Sequence, residues 1–381
     1  MLVAINKKEE MIMSQHATKR ETYYCPCCHG EVILKKGEIK YPHFAHKKTT
    51  ICQTATENES FEHVAGKLLI AKNCEIFGSE CQLEAYLPEI NQRADVLIDK
   101  TLAIEFQCSS LSIERLKERT THYKQNGYQV FWILGQKLGQ LTSLTELKKH
   151  FIYFDNDRGY VDFCLLIDKE MLVMTHYLAH NGKDMIVRRK SYSLQDYSLK
   201  ELLLKQCVIA SYSVLSPLKE VRRRKDRLSR RLLQSDKSLR VLQEYLYQQS
   251  YHLLYLPEVV YLPSLYHPFF KETELVVRLI IFNELKHQKK RSYVELKERI
   301  ISEIPDEMLD DYANLEKYQV IDYCLSLYLH FLKELTVIEE ISQNVFHFKE
   351  EEVLNNAQWK KFFKKRSERL TLPLKYDMII K

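Results

Sequence analysis

None of the nine glycines lies beyond Gly182 in a chain of 381 residues, so loops that need a positive φ are expected almost only in the first half. Long apolar runs are missing too. Lys, Arg, Asp or Glu recurs within each of them, which excludes a spanning helix of about 20 residues. The opening Met1-Leu-Val-Ala-Ile-Asn-Lys-Lys has no basic stretch followed by a long apolar one, and without that signal-peptide layout the protein is expected in the cytoplasm. Cysteine is sparse, ten in all, yet four fall between Cys25 and Cys52. Such a cluster without a secretion signal points to metal rather than to disulfides.

What is present divides the chain into an α/β part followed by an α part. Residues 1–56 form a small Cys/His module, and 57–150 alternate helical and strand patterns. Residues 151–190 offer short strand-like runs at Phe151–Phe154 and Tyr160–Ile167 and a polar loop at Asn181-Gly182. Residues 191–381 read as a large all-helical domain. Apolar residues recur there at helical spacings, as in Leu228, Leu232, Leu239, Leu242 and Leu246, with Pro217, Pro257, Pro263, Pro268 and Pro305 as punctuation.

Tyr24-Cys25-Pro-Cys-Cys28 contains a Cys-x2-Cys pair, and Pro42-His43-Phe-Ala-His46 and Cys52 follow. Two thiolates closed on an ion by a turn, completed by a distant His and Cys, make a tetrahedral zinc site. Cys25, Cys28, His46 and Cys52 are the favoured ligands of a zinc-ribbon-like module. His43 is the reserve, since an extended His-x2-His points its rings to opposite faces. Four protein ligands leave no open position, so the Zn2+ is expected to be structural. The plainer reading is a reduced, buried cysteine turn with surface histidines.

The middle segment carries acids in places where charge is costly. Ser60-Phe-Glu62-His63-Val-Ala-Gly-Lys67 opens an amphipathic helix. Three short strands follow at Glu80–Leu87, with Glu84, at Arg93–Ile98, with Asp95, and at Leu102–Gln107. Asp99-Lys100-Thr101 is a tight turn that pairs the last two strands as a hairpin. Glu105 and Gln107 are two apart and share one strand face, and the hairpin brings Asp95 alongside them. A helix over Ser112–Tyr123 and a buried strand at Tyr128–Leu134 complete the order. Asp95 and Glu105 would hold one or two Mg2+ or Mn2+ ions, hard cations that take carboxylate and water, with Gln107 positioning the attacking water. The plainer reading has the two acids salt-bridged to Arg93 or Lys67 on a sheet edge.

This order resembles the PD-(D/E)XK nuclease superfamily. More closely, Cys25-Pro-Cys-Cys28, His43-Phe-Ala-His46, Glu62-His63, Arg93-Ala-Asp95-Val, Ile104-Glu-Phe-Gln-Cys-Ser109 and Trp132-Ile133 resemble the competence protein CoiA family over residues 1 to about 135. The resemblance implies a restriction-endonuclease-like core and a cytoplasmic protein acting on DNA taken up in natural transformation. By it, Glu62, Asp95, Glu105 and Gln107 match nuclease positions, with Glu84 a weaker candidate. Gln107 stands where the superfamily has Lys, and a neutral amide supplies no positive charge. Lys67 is the candidate for the missing cation. Three readings follow: a metal-dependent DNA nuclease, a weak or inactive DNA-binding accessory of recombination, and a factor that bridges strands to recombination proteins.

Net charge is +6, from 57 basic and 51 acidic residues, but Lys219–Arg240 alone holds ten basic residues against Glu220, Asp226 and Asp236. Arg222, Arg223, Arg224, Lys225, Arg227, Arg230 and Arg231 are expected to line an amphipathic helix that contacts DNA phosphates, with single-stranded DNA as the partner and nearby tyrosines stacking on bases.

Overall fold

The computed structural model describes residues 1–37, 41–47, 52, 60–141, 143–155, 159–180, 185–204, 212–215, 217–261, 272–349 and 369–372. The boundary at 56/57, the Asn181-Gly182 loop, Pro263 and Pro268 lie outside them. The chain divides into two compact units: Met1–Phe151 with Asp162–Thr175 and Arg189–Lys205, and Ile152–Val161 with His176–Arg188 and Gln206–Lys381.

The first unit opens with β1 (Val3–Ile5), β2 (Met11–Met13), β3 (Tyr23–Tyr24), β4 (Glu31–Lys35) and β5 (His43–His46), which make one antiparallel sheet in the order β2-β1-β3-β4-β5. Tyr23 and Phe44 pack across it with ring centroids 5.0 Å apart. Helix α1 (Phe61–Ile76) starts where the Ser60 side chain accepts a hydrogen bond from the His63 N–H, an N-cap that satisfies a backbone donor the helix cannot. Strand β6 (Cys81–Leu83), the short hairpin β7 (Tyr86–Leu87) and β8 (Gln92–Arg93), β9 (Val96–Ile98) and β10 (Leu102–Gln107) follow, then α2 (Ile113–Gln125) and β11 (Gln129–Leu134). The expected β9–β10 hairpin is present. Asp99 and Lys100 both take left-handed φ, 47° and 61°, the pattern of a hairpin turn whose twist suits the strands.

Strand β10 sits between β9, antiparallel, and β11, parallel, with Glu105 opposite Trp132. Alternation turns Phe106 toward α1 and Glu105 toward α2. A side chain on Gly66 of α1 would lie 2.1 Å from the Phe106 ring, so only glycine lets the helix approach the strand that closely. On the other face Trp132 is fully buried and its indole N–H donates to Thr120 of α2 at 3.0 Å. Short helices α3 (Gln136–Gly139) and α4 (Glu146–Lys149) come next, and β12 (Tyr153–Asp155), β13 (Gly159–Leu166), β14 (Met171–His180) and β15 (Met185–Ser193) extend the sheet to the order β15-β14-β13-β11-β10-β9-β6, with β12 beside β13. Strand content here exceeds the short runs expected at 151–190. Asn73 ties α1 to the segment before α5 (Leu199–Leu204): its amide donates to the Leu194 carbonyl at 2.6 Å and its oxygen accepts from the Leu199 N–H at 2.7 Å.

The C-terminal part is rich in helix but not all-helical. Among its described residues are the helices α6 (Pro217–Leu233), α7 (Arg240–Gln248), α8 (Glu274–Gln288), α9 (Tyr293–Glu303) and α10 (Lys317–Glu334). Between and after them run β17 (Lys290–Ser292), β18 (Ile338–Ser342) and β19 (Val345–Phe348) in the order β17-β19-β18, while β16 (Tyr212–Leu215) pairs with β20 (Arg369–Leu372). Helix, strand, two helices and a hairpin whose second strand lies in the middle is the connectivity of a winged helix. A lack of glycine does not mean a lack of tight turns here. Glu272, Lys289, Thr336 and Asn344 all take φ between 56° and 71° and supply the turns instead. Ser235, at φ 52°, likewise breaks the expected continuous helix into α6 and α7.

Candidate functional site

The β3–β4 turn, β5 and Cys52 bring together a Cys/His cluster. Ligand atoms of Cys25, Cys28, His46 and Cys52 all lie within 4.8 Å of one another, and Cys28 Sγ is 3.4 Å from His46 Nε2. The Cys27 N–H donates to Cys25 Sγ at 3.4 Å, holding the first sulfur toward the centre. His43, on the opposite face of β5, directs Nδ1 to the Tyr41 carbonyl at 3.0 Å and is not in the group. Burial pushes the Cys25 thiol up to about 12, and the nearby Cys52 and Cys28 add to the rise. Thiols so packed ionise together only around a cation, and three sulfurs with one imidazole nitrogen can bind a metal such as zinc.

The acidic candidates line a cavity of about 540 Å³ at the end of β10. Asp95, Glu105 and Gln107 face it, with Glu62 and His63 from the first turn of α1 and the Ser109-Ser110-Leu111-Ser112 loop that leads into α2. Asp95 Oδ2 accepts from His63 Nε2 at 3.0 Å and from the Phe106 N–H at 2.9 Å. Burial alone would raise its pKa, but His63, Lys67 and the Phe106 N–H outweigh it and hold the carboxyl well below the usual range. Glu105 is 2% exposed, and its Oε1 accepts from Arg119 and from the Tyr123 hydroxyl, both at 2.5 Å. Burial here wins over Arg119 and pushes the carboxyl up to about 7. Glu62 Oε1 accepts from the Gln136 N–H at 2.7 Å, and Gln107 donates to the Ser109 carbonyl at 2.9 Å.

Lys67 and Glu84 do not line this cavity. They form a fully buried pair, Nζ to Oε1 at 2.7 Å, and the other oxygen of Glu84 accepts from the Leu2 and Val3 N–H groups. Lys67 Nζ stands 4.0 Å from Asp95 Oδ1, near enough to favour its ionised form but with its charge already matched. Arg119 and Tyr123 are site residues that the sequence pattern did not single out. Both lie on the α2 face that buries Leu116 and Thr120, so helical spacing from Leu116 was the available signal.

Residues 59–207 match the family model described as competence protein CoiA, nuclease-like domain, and residues 5–55 match competence protein CoiA, N-terminal domain. The chain belongs to the CoiA family. It is 38% identical over 120 residues to competence protein CoiA of Bacillus subtilis (strain 168), a stretch that is 31% of this chain and 32% of that relative. No solved structure matches. Among the described residues no helix is long and apolar enough to cross a membrane.

The basic run lies beyond the residues that the two CoiA domain models match and does not form one solvent-facing row. Arg224, 6% exposed, bonds Glu272 and Glu274. Arg227 and Arg231 also reach Glu272, Arg231 further meets Asp236, and Lys225 pairs with Glu258 above the Tyr261 ring. Arg224 is therefore corrected from phosphate contact to buried structure, since such a side chain cannot reach a solvent-borne partner. Arg222, Arg223 and Arg230 are exposed.

Proposed function

We propose that this chain is a cytoplasmic DNA-processing protein of natural transformation whose nuclease-like cavity hydrolyses phosphodiester bonds of incoming DNA, single strands above all, before or during recombination. The observation that carries the reading is the convergence of Asp95, Glu105 and Gln107 with Glu62 on one cavity at the end of β10. Asp95 and Glu105 offer the hard oxygen donors of a Mg2+ or Mn2+ site, and such ions are held by one or two carboxylates with water and substrate phosphate completing the shell. The bound ion would lower the pKa of a water and neutralise charge at the phosphate. Asp95 is kept ionised by its neighbours, Gln107 orients a water through its amide, and the serine loop ahead of α2 offers hydroxyls and N–H groups to the sugar-phosphate chain. Incubation of purified protein with single-stranded and duplex DNA plus Mg2+ or Mn2+ should give cleavage that EDTA stops; its absence on both substrates with both metals would refute the reading. A second reading, a weak or inactive DNA-binding accessory that bridges strands to recombination proteins, draws on the neutral Gln107 and on the grip of Arg119 and Tyr123 on Glu105.

The Cys/His cage is read as a structural zinc site. Purified protein should carry about one zinc per chain. Cys28→Ser should lose it and expose residues 1–56 to protease, because binding energy at such a site is folding energy. Elemental analysis without zinc, on protein never exposed to chelator, would rule this out.

Exposed Arg222, Arg223 and Arg230 are the candidate phosphate-binding residues of α6. Replacing all three by Gln should weaken DNA binding on every sequence alike and flatten the log K against log salt slope by roughly 0.7 to 0.9 for each phosphate no longer neutralised. The same slope in wild type and variant would make this face merely solvated.

A further inference from the structure

Beside the divalent ion that its carboxylates would hold, a phosphodiester-cleaving site gains from a fixed positive side chain, and the residue expected to supply one does not. Gln107 is neutral, and Lys67 is sealed beneath the site against Glu84. We infer that Arg119 of α2 supplies this cation, taking over across the cavity the role left open at position 107. The inference rests on the nuclease reading and deepens it.

Arg119 lines the cavity and is held from three sides. One terminal nitrogen donates to Glu105 Oε1 at 2.5 Å and to the Arg93 carbonyl at 3.1 Å, Nε points to Gln92 Oε1 at 3.4 Å, and the guanidinium lies 5.4 Å from the centre of the Trp132 ring. These partners come from β8, β10 and β11, so the plane of the fork is set before any substrate arrives. A cation fixed in this way needs no rearrangement as charge develops, which is where preorganised donors gain most. Hydrolysis forms one bond from a water oxygen to phosphorus and breaks one ester P–O bond. The water proton is released, the departing ester oxygen keeps the bonding pair and takes up a proton, and negative charge passes through the non-bridging oxygens. Arg119 counters that charge and exchanges no proton, since guanidinium stays protonated.

The competing role is structural: Arg119 would only neutralise buried Glu105. Kinetics separate the two. Arg119→Gln should lower kcat about 10²- to 10³-fold with KM for DNA little changed, and the double variant Arg119→Gln/Gln107→Lys should recover cleavage to within about tenfold of wild type, because position 107 shares the strand face of Glu105. Melting temperatures are measured alongside, with rates taken on protein that is fully folded. If the single variant does not fold, the double variant decides, since its new cation restores a partner for Glu105. A folded double variant with cleavage still down by 10²-fold or more overturns the inference, as does a folded Arg119→Gln with undiminished kcat while wild type cleaves. No cleavage by wild type with either metal overturns the nuclease reading and this inference together.

Discussion

Asp95→Asn is expected to lose cleavage by about 10³-fold or more while DNA affinity changes by less than about threefold. Asparagine keeps the shape and one oxygen for the Phe106 N–H, which reaches Oδ2 at 2.9 Å, so β9 and β10 stay joined. What disappears is the negative charge, which three neighbours hold in place against burial. A carboxylate that binds metal acts mainly on charge that appears in the transition state, and its removal therefore falls on kcat rather than on substrate binding. Single-turnover rates and fluorescence-anisotropy titrations of the same preparations separate the two. Unchanged cleavage in Asp95→Asn would place the chemistry elsewhere, and a parallel loss of binding would mean that the substitution had disturbed the strand pair.

The elements that build the cavity were legible because they are local. A short apolar strand-like run with Glu105 inside it marked β10, the Asp99-Lys100-Thr101 turn set its register against β9, and Ser60 before an apolar period marked the start of α1. The Cys/His cluster was legible for a similar reason, since Cys-x2-Cys closes on a turn and His-x2-His on a strand splits its two rings. Long-range charge pairing was not legible. Nothing near Glu105 in the chain announces Arg119 or Tyr123, and nothing near Arg224 announces Glu272 and Glu274, 48 and 50 residues away. Counting acids within Lys219–Arg240 therefore overstated the free positive charge of α6. The Gly-free half failed differently. Positive φ at Lys289, Thr336 and Asn344 costs about 1–2 kcal/mol for a non-glycine residue, a strain that tertiary packing outweighs. Burial of Ile338, Phe346 and Phe348 is what favours β18 and β19 over continued helix.

Glu84→Gln should destabilise the protein by about 3–5 kcal/mol at pH 7, the cost of leaving one member of a buried ion pair alone. Lys67 is fully buried and its ammonium rests 2.7 Å from Glu84 Oε1. Glutamine can still accept from the Leu2 and Val3 N–H groups, which Glu84 meets at 2.8 and 3.2 Å, so the loss reports the stranded charge rather than β1. The double variant Glu84→Gln/Lys67→Met removes both charges and should be less destabilised than the single one. The pH dependence has a definite sign. Burial alone would raise the Glu84 pKa, but Lys67 and Arg93 prevail and hold it well below 4.5. A carboxyl depressed on folding stabilises fully above its unfolded pKa, and that contribution fades as pH falls below about 4.5 toward the folded value. Urea midpoints of wild type and Glu84→Gln should therefore differ most at pH 7 and converge toward pH 3. A gap that stays constant across that range would show that Glu84 acts through shape and hydrogen bonding alone, with no charge coupled to Lys67.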